Sequence, residues 1–395
     1  MQQRILIFNS GSSSIKFAIF RDDAALERLL SGAVQRMGHD DATLTIRDHS
    51  TERTTEERCT ARRHADAAEC IFMYLQRAAF MEHIAGIGHR IVHGGDWYTA
   101  PIKIDRSVCD ALRRLLPLAP EHLPHELSLL EYVAERFPGI PQIACFDTAF
   151  HAQMPSVAQC IPLPRKFTAK GIRRYGFHGI SYAYLLKELR RESPEEADGR
   201  VIFAHLGHGA SMAAVRGGTC LDTTMGFTPA SGLVMGTRSG DIDPGIAWYM
   251  MKTEKMAADA FYALVNTESG LLGVSERSGD MRDLLKAETH DRQAAEAVEL
   301  FCYRIRCWLG AYCAVLGGLD TLVFSGGIGE QASVIRSRVC DGLGFLGIAV
   351  DTHRNTKNLP VISPEKSAVT VRVMHTDEEV MIARWTHDLL HTIPI

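Results

Sequence analysis

The sequence predicts an α/β protein of two duplicated domains, and three observations predict it. The 395-residue chain is long enough for about two to four domains at 100–200 residues each. β-prone apolar runs alternate with amphipathic helical patterns along its whole length, the pattern of α/β layering. A strand–turn–strand figure at the N-terminus recurs near the middle of the chain.

The elements follow in order. Ile5-Leu6-Ile7-Phe8 is apolar and β-prone, residues 9–14 make a turn of small polar residues, and Ile15, Phe17 and Ile19 alternate with Lys16 and Ala18 on a returning strand. Helical spacing covers 65–79 and 126–135, and strands cover 86–92 and 142–146. Val201-Ile202-Phe203-Ala204 then leads through the turn 205–211 into a returning strand over 212–215. Sliding Ser14 onto Ser211 offsets the two figures by 197 residues, so each domain opens with a hairpin whose tip faces a shared cleft. The second half continues with helices over 244–251 and 293–316, a strand over 321–324 and a helix over 334–343. Strands over 348–350 and 369–374 and a last helix over 378–390 complete it. The domain change falls near residue 150, without a Pro/Ser/Gly linker, which predicts closely associated domains.

Composition excludes several classes. Hydrophobic residues at 46% and charged residues at 23% rule out disordered and fibrous chains. With 43 Lys+Arg against 47 Asp+Glu, the basic footprint of a nucleic-acid binder is missing, and no nucleic-acid partner is expected. The densest basic stretch, 58–64, follows Glu56 and Glu57 and reads as a solvated loop. Ten cysteines without a C-x-x-C pair read as free thiols of a reducing cytoplasm, with Cys302, Cys307 and Cys313 as buried small residues on one helix. The N-terminal apolar run is too short for a signal-peptide core, and no stretch approaches 18 apolar residues, so no membrane anchor is expected.

Seven segments carry chemistry. Asn9 to Lys16 gathers hydroxyls, a glycine and an ammonium in a turn whose N–H groups make an anion-binding concavity, although a plain Ser-rich hairpin tip has the same composition. It is not a G-x-x-x-x-G-K-[ST] loop. Residues 88–95 place Arg90 between His89 and His93, which reads as an anion-binding arginine or a structural histidine pair. A metal pair would need the H-E-x-x-H glutamate, and Arg90 stands there. The proline-stiffened loop 116–125 holds His122 at a fixed angle. Asp147 closes the strand 142–146, where an α/β sheet meets substrate or metal, unless it is a plain loop aspartate. Residues 173–179 set aromatic side chains around His178, and the glycine-spaced loop 235–244 presents Arg238 before a helix with Pro244 in its first turn. Gly327-x-Gly329-x-x-Ala332 matches a dinucleotide fingerprint, with Asp351 about 20 residues on, after a short strand. Too little chain follows Val350 for a full dinucleotide domain, and the same strand–glycine–helix geometry serves an adenosine moiety.

As a set, FNSGSSSIKF, GHRIVHGG, LAPEH, FDTAFH, RRYGFHG, HLGHGAS, DTTMGFTP, GLVMGTRSGDIDP, VFSGGIGE and EEVMIAR resemble the acetate kinases, in order and over essentially the whole chain. The resemblance implies the sugar kinase/Hsp70/actin (ribonuclease H-like) superfold, with the active site in the cleft between two duplicated α/β domains. These are an N-terminal domain over 1–150, with the C-terminal helix of about 380–395 packing back on it, and a nucleotide-binding domain over 151–379. It implies reversible in-line phosphoryl transfer from ATP to acetate, giving acetyl phosphate and ADP, with Mg²⁺ or Mn²⁺, in a cytoplasmic homodimer. Propionate or another short-chain carboxylate is the alternative acceptor. A non-catalytic ATP-driven clamp of the same superfold is the alternative of another class, against which the paired arginines argue.

The resemblance also implies residue roles. Arg90 and Arg238 match the arginines that hold the carboxylate and the travelling phosphoryl group, and His178 matches the histidine that stabilises the transition state. Asp147 matches the catalytic-site aspartate and His122 a supporting histidine, while Asn9 and Glu378 match the residues for phosphate positioning and Mg²⁺. Ser12, Ser14 and Lys16 match the first phosphate loop. His205, Gly207, His208, Gly209, Asp280, Arg282, Gly326, Gly327, Ile328 and Gly329 fall on the nucleotide side. Val92, Phe177 and Pro229 match the apolar acyl pocket, beside Glu121. Because the acceptor is already a carboxylate, Asp147 suits an orienting or metal-shell part better than that of a base. The chain departs from the family pattern at His208, where Asn is usual, and at Glu121 and Leu123, where Leu and Asn are usual. It departs again at Asp377, also usually Asn, which would add a carboxylate to the metal side. Glu121 either turns outward into solvent or meets a polar acyl group.

Overall fold

The apolar runs form two sheets, one in each of two units, in a computed structural model that describes residues 2–11 and 14–392. One unit comprises Met1–Phe150, Gly179–Tyr184 and Asp377–Ile395, and the other His151–His178 and Leu185–Thr376.

In the first unit β1 (Arg4–Ser10) and β2 (Ile15–Arg21) form an antiparallel hairpin that continues through β3 (Arg28–Gln35), β4 (Thr43–Asp48) and β5 (Arg53–Arg58). On the other side of β1 lie β6 (Ile84–Ile91) and β8 (Gln142–Phe146), both parallel, with the two-residue β7 (Ile102–Lys103) antiparallel at the edge. The second unit repeats the plan. Its β9 (Arg200–Leu206), β10 (Ala210–Arg216) and β11 (Thr219–Thr223) are antiparallel, and β12 (Thr321–Ser325) and β13 (Thr370–Val373) run parallel beyond β9. Both sheets therefore contain the same five-strand order, outward from a first strand paired antiparallel on one side and parallel on the other. The first strands start 196 residues apart and the second strands 195, so the duplication read from Ser14 and Ser211 is a repeat of topology.

Strand β1 is apolar on both faces because both are covered. Leu6 and Phe8 join one core with Ile71 and Phe72 of the helix His64–Arg77, and Ile5 and Ile7 join the other with Met381 and Ile382 of the helix Glu378–His391. The second contact depends on Gly88 of β6. A Cβ there would stand 2.4 Å from Thr386 Oγ1 and 2.7 Å from Ile382, so only glycine admits this helix to the sheet.

Three sequence expectations need correction. Residues 348–350 are not a strand, because the short bridge Val361↔Arg372 takes the free side of β13. Asp351 caps the helix Thr352–Thr356, its Oδ1 accepting from Arg354 N at 2.8 Å, so the dinucleotide fingerprint loses both its strand and its free carboxylate. Cys302 and Cys313 are buried on the helix Arg292–Leu316, but Cys307 is exposed. Eleven residues return a helix to nearly the same face and five do not. Within the basic stretch 58–64, Ala61 and His64 are buried. Among the described residues, no helix is long and apolar enough to cross a membrane.

Candidate active site

In the first unit the ends of β1, β6 and β8 bring charged groups together. Arg90, next to last in β6, donates from Nη2 and Nε to Asp147 Oδ2 at 2.6 and 3.0 Å and from Nη1 to the Ser10 carbonyl at 3.0 Å. Asp147 directly follows β8, and its side chain is wholly buried, with Oδ1 lacking a hydrogen-bond partner. Burial raises its carboxyl above the ordinary value even though Arg90 pulls it down. Burial also works against the Arg90 charge, but Asp147, Glu378 and Glu126 outweigh it and hold the guanidinium protonated. Asn9 Nδ2 donates to Glu378 Oε2 at 2.9 Å and Glu379 Oε1 at 3.0 Å, gathering two carboxylates at the start of the C-terminal helix.

Glu126 belongs to this cluster, although the sequence reading passed over it. Both its oxygens accept from Val92 N, at 3.2 and 3.0 Å, and Oε1 lies 4.0 Å from Arg90 Nη1. Burial pushes its carboxyl up to about 8, with Arg90 opposing. The signal was present: Leu123, Glu126, Leu127 and Leu130 share the buried face of the helix Leu123–Arg136, and a carboxylate in an apolar stripe marks a partner inside. His122 is the N-cap of that helix. In the β1–β2 turn Gly11 N donates to the Ser14 carbonyl at 2.8 Å, the buried His64 ring bonds the Gly11 carbonyl at 2.7 Å, and Lys16 is exposed. Ser12 lies outside the described residues.

In the second unit His178 takes the left-handed conformation, φ +59, as the N-cap of the helix Gly179–Glu192. Such a backbone is costly for a residue other than glycine and is retained where the side chain must point one way. Its Nδ1 shares a 2.8 Å hydrogen bond with Ser211 Oγ, and its ring stacks on His205 with centroids 4.4 Å apart. Arg238 donates from Nη1 to the Pro229 carbonyl at 3.2 Å. A Cβ on Gly209 would lie 3.3 Å from His178 Nε2 and 3.6 Å from Arg238 Nη1, so both side chains face the same bare backbone.

Beside them lies a cavity of about 500 Å³ lined by Gly207, His208, Asp280, Arg282, Leu285, Gly327, Ile328 and Ala332, among others. It combines apolar walls, glycine backbone and a helix opening, the chemistry of a nucleotide site. Gly326, with φ +75, is the glycine that the turn requires, since a Cβ there would meet the Leu206 carbonyl at 2.7 Å. Gly327 has no such requirement, since a Cβ there would open onto free space. Asp280 caps the helix Met281–Ala287 and pairs with the exposed Arg282 at 2.6 Å. His208 is exposed. Partial desolvation of its ring and then Arg238 lower its pKa below 6.5, with Asp280 opposing.

Two departures from the family pattern resolve into structural parts. Asp377 accepts from Arg28 Nη2 with both oxygens, at 2.6 and 2.7 Å, and from Val380 N at 3.1 Å as the helix N-cap. It is therefore spent on capping and an ion pair rather than added to the metal side, and the second carboxylate on Asn9 is Glu379. Glu121 is exposed, which favours the outward, solvated alternative over a place in the acyl pocket. Val92 and Phe177 are buried and Pro229 half-buried. His89 is wholly buried against Phe8, its pKa lowered to about 3 by desolvation, the behaviour of a structural histidine. The structure thus gathers Asn9, Arg90, Asp147 and Glu378 in one unit and His178, His205, Gly209 and Arg238 in the other. Glu126, Glu379 and Ser211 are the additions.

The model of the acetokinase family matches residues 4–384. An acetate kinase of Methylocella silvestris is 43% identical, over 99% of this chain and 98% of that protein. The crystal structure of Porphyromonas gingivalis acetate kinase matches with a TM-score of 0.89 and 37% identity, covering 98% of this chain and 100% of that one. A propionate kinase from Francisella tularensis matches with a TM-score of 0.92 and 34% identity, covering 98% and 99%.

Proposed function

The chain belongs to the acetokinase family, a family of the sugar kinase/Hsp70/actin type whose members are phosphotransferases with a carboxylate acceptor, and we propose that this one transfers the γ-phosphoryl group of ATP to acetate. The observation that supports the reading best is Arg90, a guanidinium fixed at a strand end by Asp147 and bordered by Asn9 and Glu378. An acetate oxygen attacks the γ-phosphorus, its P–O bond forms as the bond to the β-phosphate oxygen breaks, and ADP carries the leaving electron pair. The transition state is loose, so catalysis is mainly positioning and fixed positive charge. Arg90 orients the acceptor carboxylate, and Arg238 and His178 stabilise charge on the phosphoryl oxygens. Ser211 fixes the His178 ring, and Asp147 and Glu126 fix Arg90.

The donor set also fits Mg²⁺: Asn9, Glu378 and the unpartnered Asp147 Oδ1 are hard oxygen ligands. These residues would hold the ion, which would supply charge neutralisation to the nucleotide phosphates. The direct test is purified protein with ATP, Mg²⁺, hydroxylamine and a series of short acids. Acetyl hydroxamate should form from acetate, faster than propionyl hydroxamate forms from propionate. No hydroxamate from any acid would sink the kinase reading, and a propionate preference would move the acceptor to the longer acid.

Two substitutions test the nucleotide side. Gly327→Val projects into cavity space without a backbone clash, so it should raise the KM for ATP at least tenfold and leave that for acetate nearly unchanged. A larger rise for acetate would place the nucleotide elsewhere. His208, its pKa lowered by partial desolvation and Arg238, gains its charge only as pH falls below about 6.5. A protonated imidazole attracts phosphate, so the KM for ATP should fall over that range, and His208→Asn, without a titrating proton, should flatten the profile. Identical profiles in parent and variant would remove His208 from the phosphate surroundings.

The ten cysteines are all free, which supports a reducing cytoplasm. Ile242, Ile246, Trp248 and Tyr249 leave an exposed apolar surface around the helix Pro244–Lys252, with Trp248 67% exposed. Such a surface supports a homodimer, and light scattering should return twice the chain mass.

A further inference from the structure

The far end of the C-terminal helix carries a cluster with no part in phosphoryl transfer. His387 and His391 stand four residues apart, on one face of the last turn of Glu378–His391. Asp22, just beyond β2, meets both. His387 Nδ1 lies 2.6 Å from Asp22 Oδ1, and His391 Nε2 lies 3.2 and 3.1 Å from Oδ1 and Oδ2. The Asp22 side chain is wholly buried, while those of His387 and His391 are 22% and 50% exposed. Among the described residues, no Lys or Arg pairs with this buried carboxylate. Its partners are the two imidazoles, whose ring centroids are 4.5 Å apart.

We propose that Asp22, His387 and His391 form a binding site for a divalent transition metal, with zinc as the fitting ion. One ligand atom from each residue lies within 4.8 Å of the others. Ligands about 2.0–2.2 Å from a tetrahedral ion stand roughly 3.2–3.6 Å from one another, so the His391–Asp22 contact needs little change and the shorter His387–Asp22 contact must open by about 0.6–1 Å. Two imidazoles and a carboxylate suit zinc, cobalt, nickel or copper rather than magnesium, which prefers oxygen ligands. Three protein ligands leave a fourth position for water. A shared ion also supplies positive charge beside the buried carboxylate. Both histidines are accessible enough for an ion to enter.

The site would staple the end of the helix to the sheet. Asp22 is joined to β2, and the histidines lie toward the opposite end of the helix that presents Glu378, about 14 and 20 Å away at 1.5 Å per residue. Bound metal therefore stabilises the fold without touching the reacting groups.

The experiment uses the full-length protein with millimolar Mg²⁺, so that oxygen-rich sites are already filled. Titration with Co²⁺ should give one bound ion per chain, with the visible absorption of a tetrahedral or five-coordinate nitrogen–oxygen site. Zn²⁺ should displace it and raise the thermal midpoint by a few degrees. His387→Gln and His391→Gln should each weaken Co²⁺ binding at least tenfold and abolish the zinc shift, while kcat with Mg·ATP and acetate stays unchanged. Absence of stoichiometric binding overturns the proposal and leaves the three residues as a hydrogen-bonded cluster. Binding that survives both replacements also overturns it, because the ion is then held elsewhere.

Discussion

Replacing Arg238 with Ala is expected to lower kcat for acetyl phosphate formation by about 10²–10³, the usual cost of losing one preorganised charge aimed at a transition state. Its Nη1 donates to the Pro229 carbonyl at 3.2 Å and lies 3.6 Å from Met235 Sδ. The KM for ATP should change little, since Arg238 is not among the groups lining the nucleotide cavity. Arg238→Lys keeps a charge but loses the planar fork, so its kcat should fall between parent and Ala. A second readout comes from His208. Arg238 helps to lower its pKa, so in Arg238→Ala the pH midpoint of ATP binding should move upward. An unchanged kcat in the Ala variant would take Arg238 out of the reaction.

The two hairpins were legible because alternation and length specify strands, and β1/β2 and β9/β10 fall where the residues put them. The candidate site was legible for another reason: its polar residues sit in glycine-spaced turns next to apolar runs, so their pattern survives without coordinates. What was hidden depends on three-dimensional partners. Asp377 looks like one more carboxylate until Arg28, distant in the chain, is seen to bind it. Glu126 was read as part of an amphipathic helix, although its position on the apolar face already called for a buried partner. The requirement for glycine at Gly326 rather than Gly327 turns on where the Leu206 carbonyl lies, which no local spacing records. Residues 348–350 have strand composition, but the edge they would join is taken by Val361.

Arg90→Ala should cost both activity and stability, and the stability loss is the more diagnostic. In the parent, one guanidinium with 14% of its side chain exposed faces Asp147 and Glu126, whose side chains are 0% and 2% exposed. Removing it strands two carboxylates in a low-dielectric interior, and breaking a buried pair from one side costs about 3–5 kcal/mol. The pH dependence identifies the cause. The Glu126 carboxyl stands near 8 in the folded protein against 4.5 when unperturbed, so the folded state holds the proton more tightly. Stability from this group is fully present below about 4.5 and is lost as pH rises through 8. Without Arg90 the folded value climbs further, so urea unfolding of Arg90→Ala should show a steeper loss from pH 5 to 9 than the parent. Glu126→Gln, which can still accept from Val92 N, should flatten that slope in either background. Combining Arg90→Ala with Asp147→Asn should recover part of the lost stability, because neighbouring charges are not additive. Arg90→Lys should restore most of the stability and little of kcat, separating charge balance from the oriented fork that grips a carboxylate. If Arg90→Ala unfolds within about 1 kcal/mol of the parent at pH 8, well short of the cost of a broken buried pair, the carboxylates are not held by this guanidinium and Arg90 serves the substrate alone.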